Sequence, residues 1–331
     1  MLKFDEQKQL DSVNGALKLR GAVEKIVDGI VEQGYDSLFY VGIGGTYASG
    51  MQVVNYLSGN SLIPVYLENA AELLTNTNKK FKKGAVMIFS TVTGSTEEIV
   101  NVVRLAKERG VRVFGFIDKE DVPLVGMVDD CISYPGNEQL KLFMTAHRFM
   151  YRNNEFDEYE SFYEEMEQHL AKALIEVEKK ADTFGLEFAK AHEKDALHYF
   201  VGAGILWGAT YSYAMCYWEE MHWIRTKSIH AAEFFHGMLE IVEKDTPVTV
   251  FVGEDAERPL AERVARFLPR ICANYTVIDT KEYDLPGISP KYRGFLSHLV
   301  MHAVTQRIDA HLEQVSCHPM EIRRYYRRLD Y

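Results

Sequence analysis

Apolar residues along the chain alternate between short continuous runs and longer stretches in which they recur at helical spacing. Residues 7–33 predict one or two amphipathic helices, and residues 155–194 predict a charged, mostly helical connector. Five short apolar runs in the first half predict strands at residues 38–41, 64–67, 85–89, 111–117 and 131–134. Because helical patterns separate most of these runs, the first half predicts a parallel sheet built from β-α-β units.

The second half repeats features of the first at a nearly constant distance along the chain. LFYVGIGG at residues 38–45 resembles HYFVGAGI at 198–205, an offset that pairs Gly42 with Gly202 and Gly44 with Gly204. AVMIFS at 85–90 similarly pairs with PVTVFV at 247–252. We therefore predict an α/β fold with two tandem, doubly wound parallel-sheet domains of the flavodoxin-like type, at residues 1–155 and 156–331.

Composition and charge narrow the class of protein. The 331 residues include no uncharged apolar stretch of about 18 residues, and residues 1–9 are charged, so neither a membrane span nor a secretory signal is predicted. The net charge of −11 argues against nucleic acid or an anionic membrane as a partner. Cys131, Cys216, Cys272 and Cys317 form no CxxC pair, which favours reduced thiols. We expect a cytoplasmic protein.

One loop is unusually rich in hydroxyl side chains. The sequence FSTVTGSTEEIV, residues 89–100, follows the third predicted strand and leads into a helical pattern. Five hydroxyl groups surround Gly94, whereas a helix cap needs one. Backbone N–H groups and the positive end of the helix dipole converge at such a strand-to-helix turn, so the loop predicts an anion site.

A glycine-rich loop follows the first predicted strand. In VGIGGTYASG, residues 41–50, glycines allow close backbone approach and Thr46 begins a helix. Tyr47 breaks a GxGxxG pattern, and GxxxxGK[ST] is absent from the sequence, so a dinucleotide site and a P-loop are disfavoured. Two such loops from the first and third strands can enclose a phosphate group. The predicted phosphate-binding residues are Gly44, Gly45, Thr46, Thr91, Thr93, Ser95 and Thr96.

Acid and base groups are concentrated in YWEEMHWIRTKSIHAAEFFHGMLEIV, residues 217–242. Glutamates and histidines among aromatic residues suit proton transfer. The spacing of His230, Glu233 and His236 imitates a metal-ligand set, but HExxH is absent, so we predict neither a metal ion nor another cofactor.

STVTGSTEE together with EMHWIR and HAAEFFHGMLEIV resembles the SIS (sugar isomerase) family, and in particular its bacterial deglycases of 6-phosphorylated sugar–amino acid adducts. The resemblance extends over nearly the whole chain, including HPMEIRRYYRRLDY at its end. It implies two SIS-type domains, Glu220 as general base, and His236 as the acid or ring-opening group. It also implies a homodimer or higher homo-oligomer, because active sites in this family are commonly completed at subunit interfaces.

Two departures from the family pattern bear on the chemistry. The turn reads His236-Gly237-Met238 where many members have HGP. By this resemblance, Arg327 aligns with the Schiff-base lysine of the isomerase half of glucosamine-6-phosphate synthase, and arginine stays protonated. The choice of Glu220 over Glu219 as base rests on the resemblance. We place His230, Glu233 and His318 beside the catalytic pair, with packing or interface roles for the two histidines left open.

The predicted substrate is a phosphorylated sugar–amine of the fructosamine or glucosamine type, such as fructoselysine or glucoselysine 6-phosphate. Glu220 would take a proton from C1 to give an enaminol, and hydrolysis of the resulting imine would release hexose 6-phosphate and a free amino acid. The substrate supplies its own amine, so no protein lysine is needed. The alternatives are a lysine-independent aldose–ketose isomerase and a non-catalytic sensor of sugar phosphates. The amino acid and the sugar skeleton stay open.

Overall fold

The computed structural model describes residues 1–330. The chain divides into two compact units. The N-terminal unit is Lys8–Gln168, and the C-terminal unit combines Met1–Gln7 with the chain from His169 onward. The sequence predicts phosphate binding in residues 1–155 and catalysis in residues 156–331. The compact units do not test this division of function, so it stays a prediction.

The N-terminal unit contains a five-stranded parallel sheet. Its strands are β1 (Ser37–Gly42), β2 (Val65–Asn69), β3 (Ala85–Thr91), β4 (Arg112–Ile117) and β5 (Asp130–Ile132). Their order, β2-β1-β3-β4-β5, is that of a doubly wound, flavodoxin-like sheet. β1 and β3 are buried along their whole length, as central strands covered on both faces must be. Each strand predicted in this half is confirmed.

Helices of this unit bury one apolar face against the sheet. Residues Ile99, Val102, Val103 and Ala106 of one helix recur at helical spacing and join the core around β3 and β4. The helices are α1 (Glu6–Leu17), α2 (Arg20–Gln33), α3 (Gly45–Asn60), α4 (Ala70–Thr75), α5 (Glu97–Glu108), α6 (Glu138–Arg152) and α7 (Tyr159–Glu165). A 3-10 turn at Pro123–Met127 precedes β5.

The C-terminal unit repeats this architecture with four parallel strands. They are β6 (His198–Gly202), β7 (Thr226–His230), β8 (Val248–Val252) and β9 (Tyr275–Asp279), in the order β7-β6-β8-β9. This is the order of β2-β1-β3-β4 in the first sheet. The predicted fold of two doubly wound sheets is confirmed.

The longest helices of the C-terminal unit pack against each other. They are α8 (Ala171–His192) and α11 (Arg293–Ser316), and the shorter helices are α9 (Ile205–Ser212) and α10 (Arg258–Phe267). A π-helical segment, Tyr213–Glu219, continues α9, and a 3-10 turn, Phe234–His236, follows β7. Across residues 1–330, every helix is too short or too polar to cross a membrane.

Candidate active site

The hydroxyl-rich loop connects β3 to α5 and is shaped by its own side chains. The Thr91 hydroxyl oxygen accepts the Gly94 N–H at 3.2 Å, and the Thr93 hydroxyl oxygen accepts the Ser95 N–H at 3.3 Å. Both hydroxyl groups act as acceptors within the loop. Thr91 is buried, whereas Thr93 is partly exposed and keeps its O–H for donation to a ligand. Thr96 is the N-cap of α5, yet its side chain makes no capping hydrogen bond within residues 1–330.

The glycine-rich loop connects β1 to α3. Gly44 is the N-cap of α3, with φ 60° and ψ −127°, a conformation open to glycine. The Thr46 hydroxyl donates to the Ile43 carbonyl at 3.0 Å and accepts the Ile43 N–H at 3.1 Å. In this state Thr46 closes the turn of the loop. The backbone at the start of α3 then provides donors for an anion.

Both loops leave the sheet at the carboxyl ends of their strands. β1 and β3 are adjacent and parallel, with Val41 paired to Phe89 just before the loops begin. Gly44 and Thr46 on one side, and Thr91 and Thr93 on the other, therefore follow neighbouring strand ends. This arrangement is the one that a phosphate held by two loops requires.

Buried polar side chains lie behind the hydroxyl-rich loop. Ser90 donates to the Glu138 carboxylate at 2.8 Å. Burial raises the pKa of the Glu138 carboxyl, against the lowering effect of hydrogen bonds from Ser49 and Ser90. The Ser90 hydroxyl is therefore used for a hydrogen bond in the protein interior, and this bond supports the loop.

A buried ion pair continues this support. The Lys141 ammonium is fully buried and donates to Asp118 Oδ1 at 2.9 Å and to the Tyr134 carbonyl at 2.7 Å. Asp118 follows β4, and its backbone N–H donates to the Thr91 carbonyl at 3.1 Å. Removing one partner would leave an uncompensated buried charge. The pair therefore ties the end of β3 to a fixed position.

The first loop of the C-terminal unit has the same conformation as that of the N-terminal unit but contains its own anions. Gly204, with φ 59° and ψ −137°, is the N-cap of α9. Its N–H donates to Glu257 Oε2 at 3.0 Å, and the Ile205 N–H donates to Asp255 Oδ2 at 3.0 Å. Carboxylates of the chain thus fill the helix N-terminus here. Burial raises the pKa of Asp255, although backbone hydrogen bonds from Glu257 and Ile205 oppose that shift.

Glu220 lies at the end of the π-helical segment, and its side chain is about one third exposed, at 30%. The Arg323 Nε donates to its Oε1 at 2.8 Å. The neighbouring Glu219 is exposed and instead accepts the N–H and the hydroxyl of Thr226, at 3.2 and 2.9 Å. The two adjacent glutamates therefore face different partners.

His222, two residues after Glu220, is buried and held by hydrogen bonds. It contacts Asp309 Oδ1 of α11 at 3.2 Å, and the Tyr213 hydroxyl donates to the same oxygen at 3.0 Å. Burial raises the pKa of Asp309, while the contact with His222 lowers it. His222 has a structural role, because its ring is enclosed and hydrogen-bonded to the core of this unit.

His236 ends the 3-10 turn after β7, and its side chain is exposed. Its backbone N–H donates to the Glu233 carbonyl at 3.0 Å, while the buried Phe234 ring anchors the turn in the core. Glu233 is also exposed. The turn thus presents an imidazole to solvent or ligand from a fixed backbone.

His230 and His318 have packing partners of their own. His230 Nδ1 accepts the Ala232 N–H at 3.2 Å, and its ring lies 5.3 Å from that of Trp207. This places His230 at the start of the turn that ends at His236. His318 lies against Trp223, with ring centres 4.2 Å apart.

One cluster outside the predicted site contains residue types that can bind a metal ion. Among residues 1–330, His192, Asp195 and His198 are the group whose ligand atoms lie close together. Asp195 Oδ2 contacts Nδ1 of both imidazoles at 2.8 Å, and His198 Nε2 contacts the Thr249 hydroxyl at 2.8 Å. Burial lowers the pKa of His198 to about 4, against the raising effect of Asp195. Hydrogen bonds account for this cluster.

Comparison with known proteins identifies the first of the two sheets. Residues 33–146 match the model of the SIS domain. This segment is an SIS domain. The chain is 27% identical over 327 residues to fructosamine deglycase FrlB of Bacillus subtilis (strain 168), covering 95% of this chain and 98% of the relative. It is 24% identical over 309 residues to fructoselysine 6-phosphate deglycase of Escherichia coli (strain K12), covering 92% and 89%.

Solved structures extend the likeness beyond the SIS domain to nearly the whole chain. A Bacillus subtilis structure provisionally named a phosphosugar isomerase has a TM-score of 0.88 at 26% identity, covering 98% of this chain and 100% of that one. The C-terminal domain of glucosamine-fructose-6-phosphate aminotransferase from Francisella tularensis has a TM-score of 0.79 at 14% identity, covering 96% of each. The second likeness shows the fold alone.

The SIS domain contains both predicted phosphate loops, whereas Glu220 and His236 lie outside residues 33–146. Sequence reasoning did not find the support behind these residues, namely Glu138, Lys141 and Arg323. A signal exists for Lys141, since it lies between Leu140 and Leu142 in a helix that follows the last strand of the SIS domain. The sequence offers no comparable signal that Arg323 contacts Glu220.

Proposed function

We propose that this protein is a deglycase that cleaves a 6-phosphorylated sugar–amino acid adduct to hexose 6-phosphate and a free amino acid. The observation that carries the proposal is the pair of SIS-domain loops with neutral donors at neighbouring strand ends. Similarity over 95% of the chain to a fructosamine deglycase supports an adduct as substrate. The adduct is a fructosamine or glucosamine 6-phosphate, such as that of lysine.

The SIS domain binds the phosphate group of the substrate. Amides at the start of α3, together with hydroxyls of Thr91, Thr93 and Thr96, donate to the phosphate oxygens, and the α5 dipole favours the dianion. Gly45 begins α3 and adds a backbone donor, and Ser95, exposed at the rim of the loop, adds its side-chain hydroxyl. Such a site binds a dianion without a nearby free cation.

Glu220 and His236 carry the proton transfers. His236 protonates the ring oxygen or accepts from the hydroxyl as the sugar ring opens, and Glu220 removes the C1 proton to give an enaminol. Return of a proton at C2 converts the enaminol to an imine, with a new C=N bond at C1 and a hydroxyl group at C2. Water adds to this imine, and the C–N bond breaks to leave an aldehyde and the amine. The balance is adduct plus water to hexose 6-phosphate plus amino acid.

The test is release of hexose 6-phosphate from a panel of fructosamine 6-phosphates that differ in the amino acid, followed with a coupled dehydrogenase assay. We expect E220Q and H236N to lose about 10²- to 10⁴-fold in kcat while still binding sugar phosphate. E219Q is the matched control, because Glu219 faces Thr226, and it should keep native turnover. Tight sugar-phosphate binding with no release from any adduct would favour a sensor; interconversion of free hexose phosphates would favour an isomerase.

The same proposal includes the location of the protein and its oligomeric state. Phosphorylated sugar–amines are metabolites of the cytoplasm, where we place the protein. We also propose that it is a homodimer or a higher homo-oligomer, which light scattering of the purified chain would measure. A monomer with full deglycase activity would remove the assembly from the proposal and leave the chemistry intact.

A further inference from the structure

Arg323 lies directly against the carboxylate to which we assign the base role. We propose that Arg323 is the positioning residue of Glu220, holding one carboxylate oxygen so that the other faces the substrate. This inference rests on the proposed function. Arg323 Nε donates to Glu220 Oε1 at 2.8 Å, and the two side chains are 20% and 30% exposed, so the pair is partly shielded from solvent.

The guanidinium group of Arg323 is fixed by its own segment before it reaches Glu220. Its Nη1 donates to the Met320 carbonyl and, at 3.1 Å, to the Ile322 carbonyl. A guanidinium is planar and its donors have fixed directions, so these bonds orient Nε. Glu220 therefore meets a preoriented donor. Lysine, a flexible point charge, could not hold both sets of partners in one plane.

The segment that carries Arg323 is itself held against the Glu220 region. Trp223 contacts His318, with ring centres 4.2 Å apart, and Arg324, whose guanidinium carbon is 4.3 Å from the ring centre. Trp223 has φ 59°, a left-handed conformation that a large side chain rarely adopts. These two contacts of the indole ring offset that cost.

The backbone that follows Glu220 is also fixed. His222 is hydrogen-bonded to Asp309, which also accepts from Tyr213, so the backbone two residues after Glu220 is anchored to α11. With the backbone held there and one carboxylate oxygen held by Arg323, the remaining freedom of the side chain is small. Proton abstraction from carbon needs this kind of alignment, because small misplacements of a reacting group cost large factors in rate.

The first experiment measures the contact without using activity. Amide hydrogen exchange of the segment 318–330 is followed by mass spectrometry in the native protein and in R323A, E220Q and R328A. We expect faster exchange in R323A and E220Q, because R323A removes the donor and E220Q replaces the charged acceptor with a weaker, neutral one. R328A, a change at an exposed arginine of the same segment, is the matched control and should exchange as the native protein does. Native exchange in both R323A and E220Q would overturn the proposal.

The second experiment measures the positioning role. We expect R323A to lower kcat about 10²-fold with KM within about threefold of native, and R323K to recover only part of the loss. Added guanidinium ion should raise the turnover of R323A by about tenfold or more and leave R328A and the native enzyme unchanged. A loss of structure would not respond to guanidinium in this way.

The outcomes separate this inference from the proposed function. A native enzyme that releases no hexose 6-phosphate from any adduct would remove the proposed function, and the positioning role with it. An active native enzyme with native kcat in R323A would remove the positioning role alone. A rise in KM without a change in kcat would also overturn it, since Arg323 would then bind the substrate, for example through the carboxylate of its amino acid.

Discussion

Gly44 and Gly204 have the same backbone conformation, with φ 60° and ψ −127° in one and φ 59° and ψ −137° in the other. Each is the N-cap of the helix that follows the first strand of its own sheet. At Gly204 the loop holds carboxylates of Asp255 and Glu257. These carboxylates mark where an anion lies on a loop of this shape. By analogy, the function we propose predicts that the amides of Gly44 and Gly45 donate to the phosphate group of the substrate.

Removing both carboxylates should convert the second loop into an anion site. In D255A/E257A the amides of Gly204 and Ile205 lose these two carboxylates, so inorganic phosphate can bind at the same position in the folded state. We expect phosphate to raise the melting temperature of this variant more than that of the native protein. Each 1 kcal/mol of added binding should raise it by about 2–4 °C. Thermal unfolding over a phosphate series measures the effect.

The control for this prediction keeps the acceptors and removes the charge. D255N/E257Q retains side-chain oxygens that can accept from the Gly204 and Ile205 amides, so its response to phosphate should match the native response. If D255A/E257A responds to phosphate no more than the native protein, the carboxylates of this loop do not mark an anion position.

The repeated fold could be predicted from the sequence because its signals are local. A continuous apolar run predicts a buried parallel strand, and two glycines at one spacing predict the turn after it. The carboxylates that fill the second turn could not be predicted. Asp255 lies 50 residues after Ile205, and Glu257 lies 53 after Gly204. Such pairs meet only through the tertiary fold.

The same limit applies to the candidate active site. The sequence predicts Glu220 and His236 through a motif within one short segment, residues 217–242. Arg323 is 103 residues from Glu220 and carries no local pattern that links the two. Lys141 shows the intermediate case, since a lysine flanked by leucines within a helix signals a buried charge but does not indicate Asp118 as its partner.

Gly94 should be required by the phosphate loop for two separate reasons. Its φ is 63°, and a Cβ atom there would lie 2.5 Å from Val122 Cγ2. We expect G94A to cost about 1–2 kcal/mol in the left-handed conformation alone, or to change the loop and weaken sugar-phosphate binding about tenfold. Calorimetry with a hexose 6-phosphate measures the affinity, and urea unfolding measures the stability. G94A/V122A should relieve the steric contact but keep the backbone cost.

Gly110 provides a matched control for backbone strain. It also has a positive φ, 68°, but a Cβ there would meet Lys83 no closer than 3.6 Å, and it lies between α5 and β4. We expect G110A to lower stability by a similar amount and to leave the affinity for sugar phosphate unchanged. Native affinity in G94A would contradict the role of this loop in binding.

His147 of α6 is a buried histidine that the fold keeps neutral. Its Nδ1 contacts the Tyr163 hydroxyl at 2.9 Å, and the rings of Tyr56, Phe156 and Phe162 surround it. Burial lowers its pKa to about 3, whereas an unfolded histidine has a pKa of about 6.5. Between these values the unfolded chain binds a proton that the folded chain does not, so the free energy of unfolding falls as the pH decreases below about 6.5.

The native protein should therefore lose about 2 kcal/mol between pH 6.5 and pH 4.5 through this one residue. In H147F the titrating group is absent, so the free energy of unfolding should be lower at pH 7, where Tyr163 loses its partner, but should depend less on pH. Y163F, which removes the hydroxyl and keeps the imidazole, should retain the native dependence. Urea unfolding of the three proteins at a series of pH values measures each slope. Other groups, including His198, titrate alike in all three, so equal slopes for the native protein and H147F would mean that His147 is accessible to protons in the folded state.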